Sequence, residues 1–176
     1  MENQQATAKK FVINFGVMLG IISVIYGVFM YVTNVYLNPS TIYGVISFLI
    51  LIVIITLAIK AFKSENGGFL SLSEALKVGI GVAVIGGIIA AIWSFVLTTY
   101  IEPEYVNQVM EAGREKMIES QPEMSEAQID AAMGMTAKLS SPPIAFALSI
   151  VGSLFFGLII SLIVGLIMKN KNPMEG

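Results

Sequence analysis

Four long apolar runs decide what this chain can become. They extend from Phe11 to Thr33, Thr41 to Ile59, Val78 to Ile101 and Ile144 to Met168. None contains an Asp, Glu, Lys, Arg or His. Crossing about 30 Å of hydrocarbon takes about 20 such residues in a helix. Their many β-branched residues would suggest strands in water. In lipid, a helix is the only single segment that satisfies its own backbone, so all four are predicted to be membrane-spanning helices. One such run could be a buried core helix. Four of them in 176 residues leave too little polar sequence to wrap a core, since only 12% of residues are charged and 56% are hydrophobic. Soluble chains carry about a quarter charged residues. The expected fold class is all-α: an integral membrane four-helix bundle, with an extracytoplasmic helical hairpin between helices three and four. Residues 1–176 then form a single membrane domain.

The same scarcity of charge narrows the chemistry. Ten basic and twelve acidic residues exclude a basic nucleic-acid binder. There is no Cys, hence no disulfide framework or thiolate chemistry, and no His, the commonest general base and metal ligand. The sequence also lacks a phosphate loop, a nucleophile elbow and a zinc-binding helix. No enzyme activity, catalytic residue, cofactor or metal is therefore expected. Proton relays and ion-coupled carriers place ionisable groups within their spans, and this chain places none. Asn14, the most polar side chain within a span, reads as an interfacial or interhelical hydrogen bonder.

Basic residues set the expected threading. With both termini in the cytoplasm, Lys9, Lys10, Lys60, Lys63, Lys77, Lys169 and Lys171 all lie inside, leaving only Arg114, Lys116 and Lys138 outside. The positive-inside rule selects this orientation. Tyr31, Tyr36, Tyr43, Tyr100 and Tyr105 then flank span ends on the outer side, as interfacial tyrosines do. The first run is too long for the apolar core of a cleaved signal peptide and reads as an uncleaved signal anchor. A tight turn at Asn38-Pro39-Ser40 joins spans one and two.

Small residues recur at a spacing of four. Span four carries Ser149, Ser153, Gly157, Ser161 and Gly165; span three carries Gly79, Ala83, Gly87 and Ala91; span one carries Gly16 and Gly20. Such stripes let helix backbones approach in lipid. They are read as packing within one bundle in preference to a homodimer face, because four spans need internal contacts first.

Two polar segments remain. In the cytoplasmic loop, 60–77, Gly67 and Gly68 suggest a turn, and Ser71 and Glu74 have capping-box spacing for a helix leading into span three. Phe69, Leu70 and Leu72 are expected at the membrane interface. The outer loop, 102–143, holds eight acidic and three basic residues. Glu102-Pro103-Glu104 is expected to start a helix reaching Ser120, and Ser125 with Gln128 a second one reaching about Ala137. Glu111, Glu115 and Glu119 share one face of the first helix. They are read as a solvated acidic face and candidate interaction surface, because hard cations want converging oxygens and a turn.

The order of these features resembles a family of bacterial four-helix membrane proteins known as a domain of unknown function (DUF4199). The likeness rests on Gly68-Phe69-Leu70-Ser71-Leu72-Ser73-Glu74-Ala75-Leu76-Lys77-Val78-Gly79 before span three and Ile101-Glu102-Pro103-Glu104 after it. It continues through the acidic hairpin, Ser141-Pro142 before span four, and the lysine-rich end. The resemblance implies Gram-negative bacteria of the Bacteroidota and hence the inner membrane. It implies no activity and no functional residues. The expected function is that of a small non-enzymatic accessory protein, acting through its acidic outer loop on an envelope protein or on a second copy of itself. The alternative is a transporter or channel component for a neutral or apolar solute.

Overall fold

The computed structural model describes residues 7–37 and 40–170. Asn38 and Pro39 of the expected turn, and Lys171 of the basic tail, lie outside the described residues. Among the described residues the elements are six α-helices: α1 (Ala8–Val32), α2 (Thr41–Glu65), α3 (Leu72–Val96), α4 (Tyr105–Ser120), α5 (Glu126–Leu139) and α6 (Pro142–Met168). A five-residue π turn, Leu97–Ile101, extends α3. The helices α1, α2, α3 with its π turn, and α6 are long and apolar enough to cross a membrane. The protein is an all-α integral membrane protein with the α4–α5 hairpin between spans three and four. Large apolar side chains such as Ile25, Val53, Phe155 and Ile167 are exposed all along these helices. Water would penalise such a surface, whereas lipid solvates it.

The helices run past the apolar sequence at several ends. The second continues from Ile59 to Glu65, and the third begins at Leu72, six residues before the apolar run. Local chemistry explains both. Gly67 and Gly68 have φ of 66° and 83°, a conformation open mainly to glycine, so the chain leaves α2 there. Ser71 accepts from the Glu74 amide while the Glu74 carboxylate accepts from the Ser71 amide at 2.7 Å, a complete capping box.

Leu70 departs from the expectation that it rests on the membrane interface: it is fully buried. The cause is distant in sequence. Its amide donates to the Asn170 carbonyl at 2.8 Å and its carbonyl accepts from the Asn170 amide at 2.9 Å. Lys63 Nζ caps the C-terminal end of α6 through the Met168 carbonyl at 2.8 Å, and Lys10 pairs with Glu65 at 2.9 Å. The end of the bundle where α1 begins and α6 ends is thereby tied shut.

The core gathers at that closed end. Phe11 and Leu19 of α1, Ile55, Ile59 and Phe62 of α2, Val78 and Val82 of α3, and Ile160 of α6 form one buried cluster. Phe11 meets Phe62 edge-on, with centroids 5.6 Å apart. Toward the hairpin the packing thins, and α2 from Thr41 to Leu49 is almost wholly exposed.

Helix α3 is the axis of the bundle, packing against α1 on one side and α6 on the other. Glycines on both of its faces make this possible. A methyl group built at Gly81 would meet Val12, and one at Gly86 would meet Leu19; reciprocally, Gly16 faces Ile85 and Gly20 faces Ile89. On the opposite face Gly79 stands against Ser161, Gly87 against Ser153, and Ala83 against Gly157. Gly165 closes the row against Ala75. Each step of four along α3 is matched by a step of four back along α6, as antiparallel helices require. Ser161 is fully buried, and its hydroxyl donates to the Gly157 carbonyl of its own helix, so it adds no unpaired polar group to the seam.

Candidate functional site

At the hairpin end the α3–α6 seam stops zipping. The next pair in register is Ala91 with Ser149, and both line a cavity of about 560 Å³ instead of closing on each other. Ser149 is exposed, its hydroxyl turned back to the Phe146 carbonyl at 2.8 Å. Of the small residues at spacing of four on α6, Ser153, Gly157, Ser161 and Gly165 lie in the seam, and Ser149 lies in the cavity wall.

Helices α4 and α5 roof this space. The roof begins where α3 breaks. The π turn lets the Glu102 amide donate five residues back to the Leu97 carbonyl, at 2.8 Å. The expected helix start at Glu102-Pro103-Glu104 falls slightly later: Pro103 lies in the turn, Glu104 takes the cap position, and α4 begins at Tyr105. Ser125 and Gln128 form a second complete capping box, and α5 runs two residues beyond Ala137, to Leu139. Arg114 joins the two helices through Asp130 at 3.0 Å. Ser141 occupies the N-cap of α6, with proline in its first turn, which needs no amide donor.

An aromatic clasp holds the foot of α4. Tyr36, in a short 3-10 turn after α1 (Val35–Leu37), stacks on Tyr105 with centroids 4.5 Å apart, and on Tyr31 at 6.0 Å. The Tyr36 hydroxyl donates to Gln108 Oε1 at 2.8 Å, and the Tyr31 hydroxyl donates to Glu102 at 3.3 Å. Burial, with the adjacent Tyr36 phenol adding to it, raises the Tyr105 hydroxyl above its ordinary value. The spacing of the tyrosines gave only their common level in the membrane; their mutual stacking depends on where the 3-10 turn puts Tyr36.

The faces of α4 differ in chemistry. Val106, Val109, Met110, Gly113 and Met117 look into the cavity. Glu111, Glu115 and Glu119 lie on the other side, exposed, and with Leu37, Gln108, Ala112 and Lys116 they line an open depression of about 550 Å³. Among the described residues no three acidic side chains are grouped so as to hold a metal ion.

The cavity was not visible in the sequence, because the α6 stripe continues through Ser149 without a break. It carries no charged side chain. Its lining is mostly apolar, with hydroxyls contributed by Ser94, Thr98, Tyr105, Thr136, Ser140 and Ser149.

The chain matches the family described as Protein of unknown function (DUF4199) over residues 14–170. It belongs to that family. No curated protein and no solved structure matches the chain significantly. This DUF4199 protein is thus a multi-pass membrane protein.

Proposed function

We propose that this DUF4199 protein is a non-enzymatic accessory protein of the bacterial inner membrane, with both termini in the cytoplasm and the α4–α5 hairpin presented outside as a docking surface. The orientation rests on the basic residues gathered at the closed end of the bundle. The observation that carries the functional reading is the division of α4: its foot is clasped by Tyr36 and Tyr105, its apolar face is turned inward, and Glu111, Glu115 and Glu119 are left exposed in one row. A clasped helix loses less freedom on binding than a loose loop would. An acidic row favours a basic surface on another envelope protein and repels the same row on a second copy. The lack of His and Cys, together with the exposure of these acids, supports a non-catalytic role. For transport of a neutral solute a polar path would have to cross the bundle, yet among the described residues the one buried polar side chain is Ser161, engaged with its own helix.

The test is site-specific photocrosslinking in living cells from Ala112, which lies between the acids. A defined envelope protein should be captured, and the combined changes Glu111→Gln, Glu115→Gln and Glu119→Gln should abolish the adduct. Capture of abundant neighbours alone, or an adduct indifferent to those changes, would reject the proposal.

A further inference from the structure

We infer that the cavity beneath the hairpin takes one acyl chain of a membrane lipid, drawn from the leaflet on the hairpin side. Its lining has no charged residue, and the hydroxyls of Thr98, Thr136 and Ser149 are already donated to carbonyls of their own helices. The hydroxyls of Ser94, Tyr105 and Ser140 also border it, and the rest of the lining is apolar, so the surface chiefly offers contact to hydrocarbon. Its volume of about 560 Å³ falls within the range of sites that enclose a small ligand, typically about 300–1,000 Å³.

Depth and access point to lipid as the source. The lining reaches down α3 as far as Ala90. From Ile101, the end of the span, that is about 16 Å along a helix, at roughly 1.5 Å per residue. This is about half of the ~30 Å hydrocarbon core, the depth of a single leaflet. Phe95 and Leu139 line the cavity while remaining 42% and 44% exposed, so the space is continuous with the hydrocarbon around the helices. Met110 and Met117 of α4 and Met133 of α5 supply unbranched, polarisable side chains that follow the changing outline of a flexible chain. The inference does not depend on the acidic face of α4 and stands or falls separately from the docking proposal.

Gly113 provides the test. It lines the cavity, and a Cβ built there meets nothing within 4 Å. Gly113→Phe should fill the space from the roof without a clash at its base. Gly134, equally open but outside the cavity lining, gives the matched control Gly134→Phe. The probe is a phosphatidylethanolamine with a diazirine midway along one acyl chain, reconstituted in vesicles with the full-length protein, and labelled peptides are read by mass spectrometry. Peptides containing Met110, Met117 and Ala145 should be labelled in the wild type and in Gly134→Phe, and at least fivefold less in Gly113→Phe. Labelling at lipid-facing Phe155 should be equal in all three and reports an intact fold. Should Gly113→Phe lose the Phe155 pattern, Ala145→Phe fills the same space from α6 and is read in its place, at Met110 and Met117. Undiminished labelling of the cavity peptides in a folded filled variant would overturn the inference. So would labelling of those peptides by a diazirine-bearing free fatty acid but not by the phospholipid, since the chain would then not come from a bilayer lipid.

Discussion

Replacing Gly157 by leucine should damage the bundle far more than removing most of the neighbouring Leu158 side chain. A methyl group at Gly157 would lie 2.5 Å from Ala83 Cβ and 3.6 Å from Ile80 Cα. Carbon atoms prefer about 3.5–4.0 Å, so α3 and α6 would have to part by roughly 1 Å. A gap of about 0.5–1 Å forfeits a quarter to a half of each contact's attraction. That loss would spread to Gly79–Ser161, Gly87–Ser153 and Ala75–Gly165, which share the seam. The clashing atom cannot swing away, because it is a Cβ fixed to the α3 backbone. Overpacking typically costs about 1–3 kcal/mol, and a leucine in this groove belongs at the upper end. Better helix propensity returns somewhat less than ~1 kcal/mol, leaving a net loss of about 2 kcal/mol. Leu158 is 45% exposed to lipid. Truncating it should cost less than about 1 kcal/mol, since lipid refills the space and no cavity remains. Gly157→Ala and Gly152→Ala sharpen the comparison: the first meets Ala83, whereas the second meets nothing within 4 Å. Gly152→Ala should therefore stabilise the protein, by up to about 1 kcal/mol, while Gly157→Ala destabilises it. Thermal unfolding of the purified variants in one mild detergent provides the assay. Should Leu158→Ala lose as much as Gly157→Leu, or the two alanine substitutions shift the midpoint alike, the α3–α6 seam would not be what holds these helices.

Three further outcomes are expected. Tyr36→Phe keeps the stack on Tyr105 but removes the hydrogen bond to Gln108, so it should cost about 1 kcal/mol and speed amide exchange in the first two turns of α4, with α2 unchanged. Gly68→Ala places a side chain at a φ of 83° and should destabilise the α2–α3 turn by roughly 1 kcal/mol or more, read as a lowered unfolding midpoint; a stabilised variant would contradict the turn geometry. Because the chain has no native cysteine, Ser64→Cys and Ser120→Cys can report threading directly. Both sites are exposed, and in intact spheroplasts an impermeant maleimide should label the Ser120 variant and spare the Ser64 variant, the reverse pattern refuting cytoplasmic termini.

How much of this could be read in the sequence depends on whether the controlling interaction is local. The fold class was legible because the membrane imposes a length and a polarity on each span independently. Both capping boxes were legible because Ser71 with Glu74, and Ser125 with Gln128, complete their bonds within one turn. The local pattern points Leu70 to the interface, whereas its burial goes with the pairing to Asn170, a hundred residues away. A spacing of four marks a helix face but does not name its neighbour. Gly81 and Gly86 serve the α1 side of α3 while Gly79 and Gly87 serve the α6 side, and only the assembled bundle separates the two sets.

The cavity belongs to a different class, since it arises where contact is withheld. Ser149 extends the α6 stripe and is chemically suited to a close approach, yet Ala91 and Ser149 border a space instead of each other. Two features of the chain account for this. The closed end is tied by Lys63, Leu70 and Asn170, which fixes the helices where Gly79 and Gly165 pack. At the other end, the π turn, the Tyr36–Tyr105 clasp and the prolines at 142 and 143 set where α3 stops and α6 begins, and the hairpin lays Met110, Met117 and Met133 along the cavity wall. A bundle tied at one end and roofed at the other leaves a space between its helices under the roof, and the hydrocarbon that surrounds it supplies the filling.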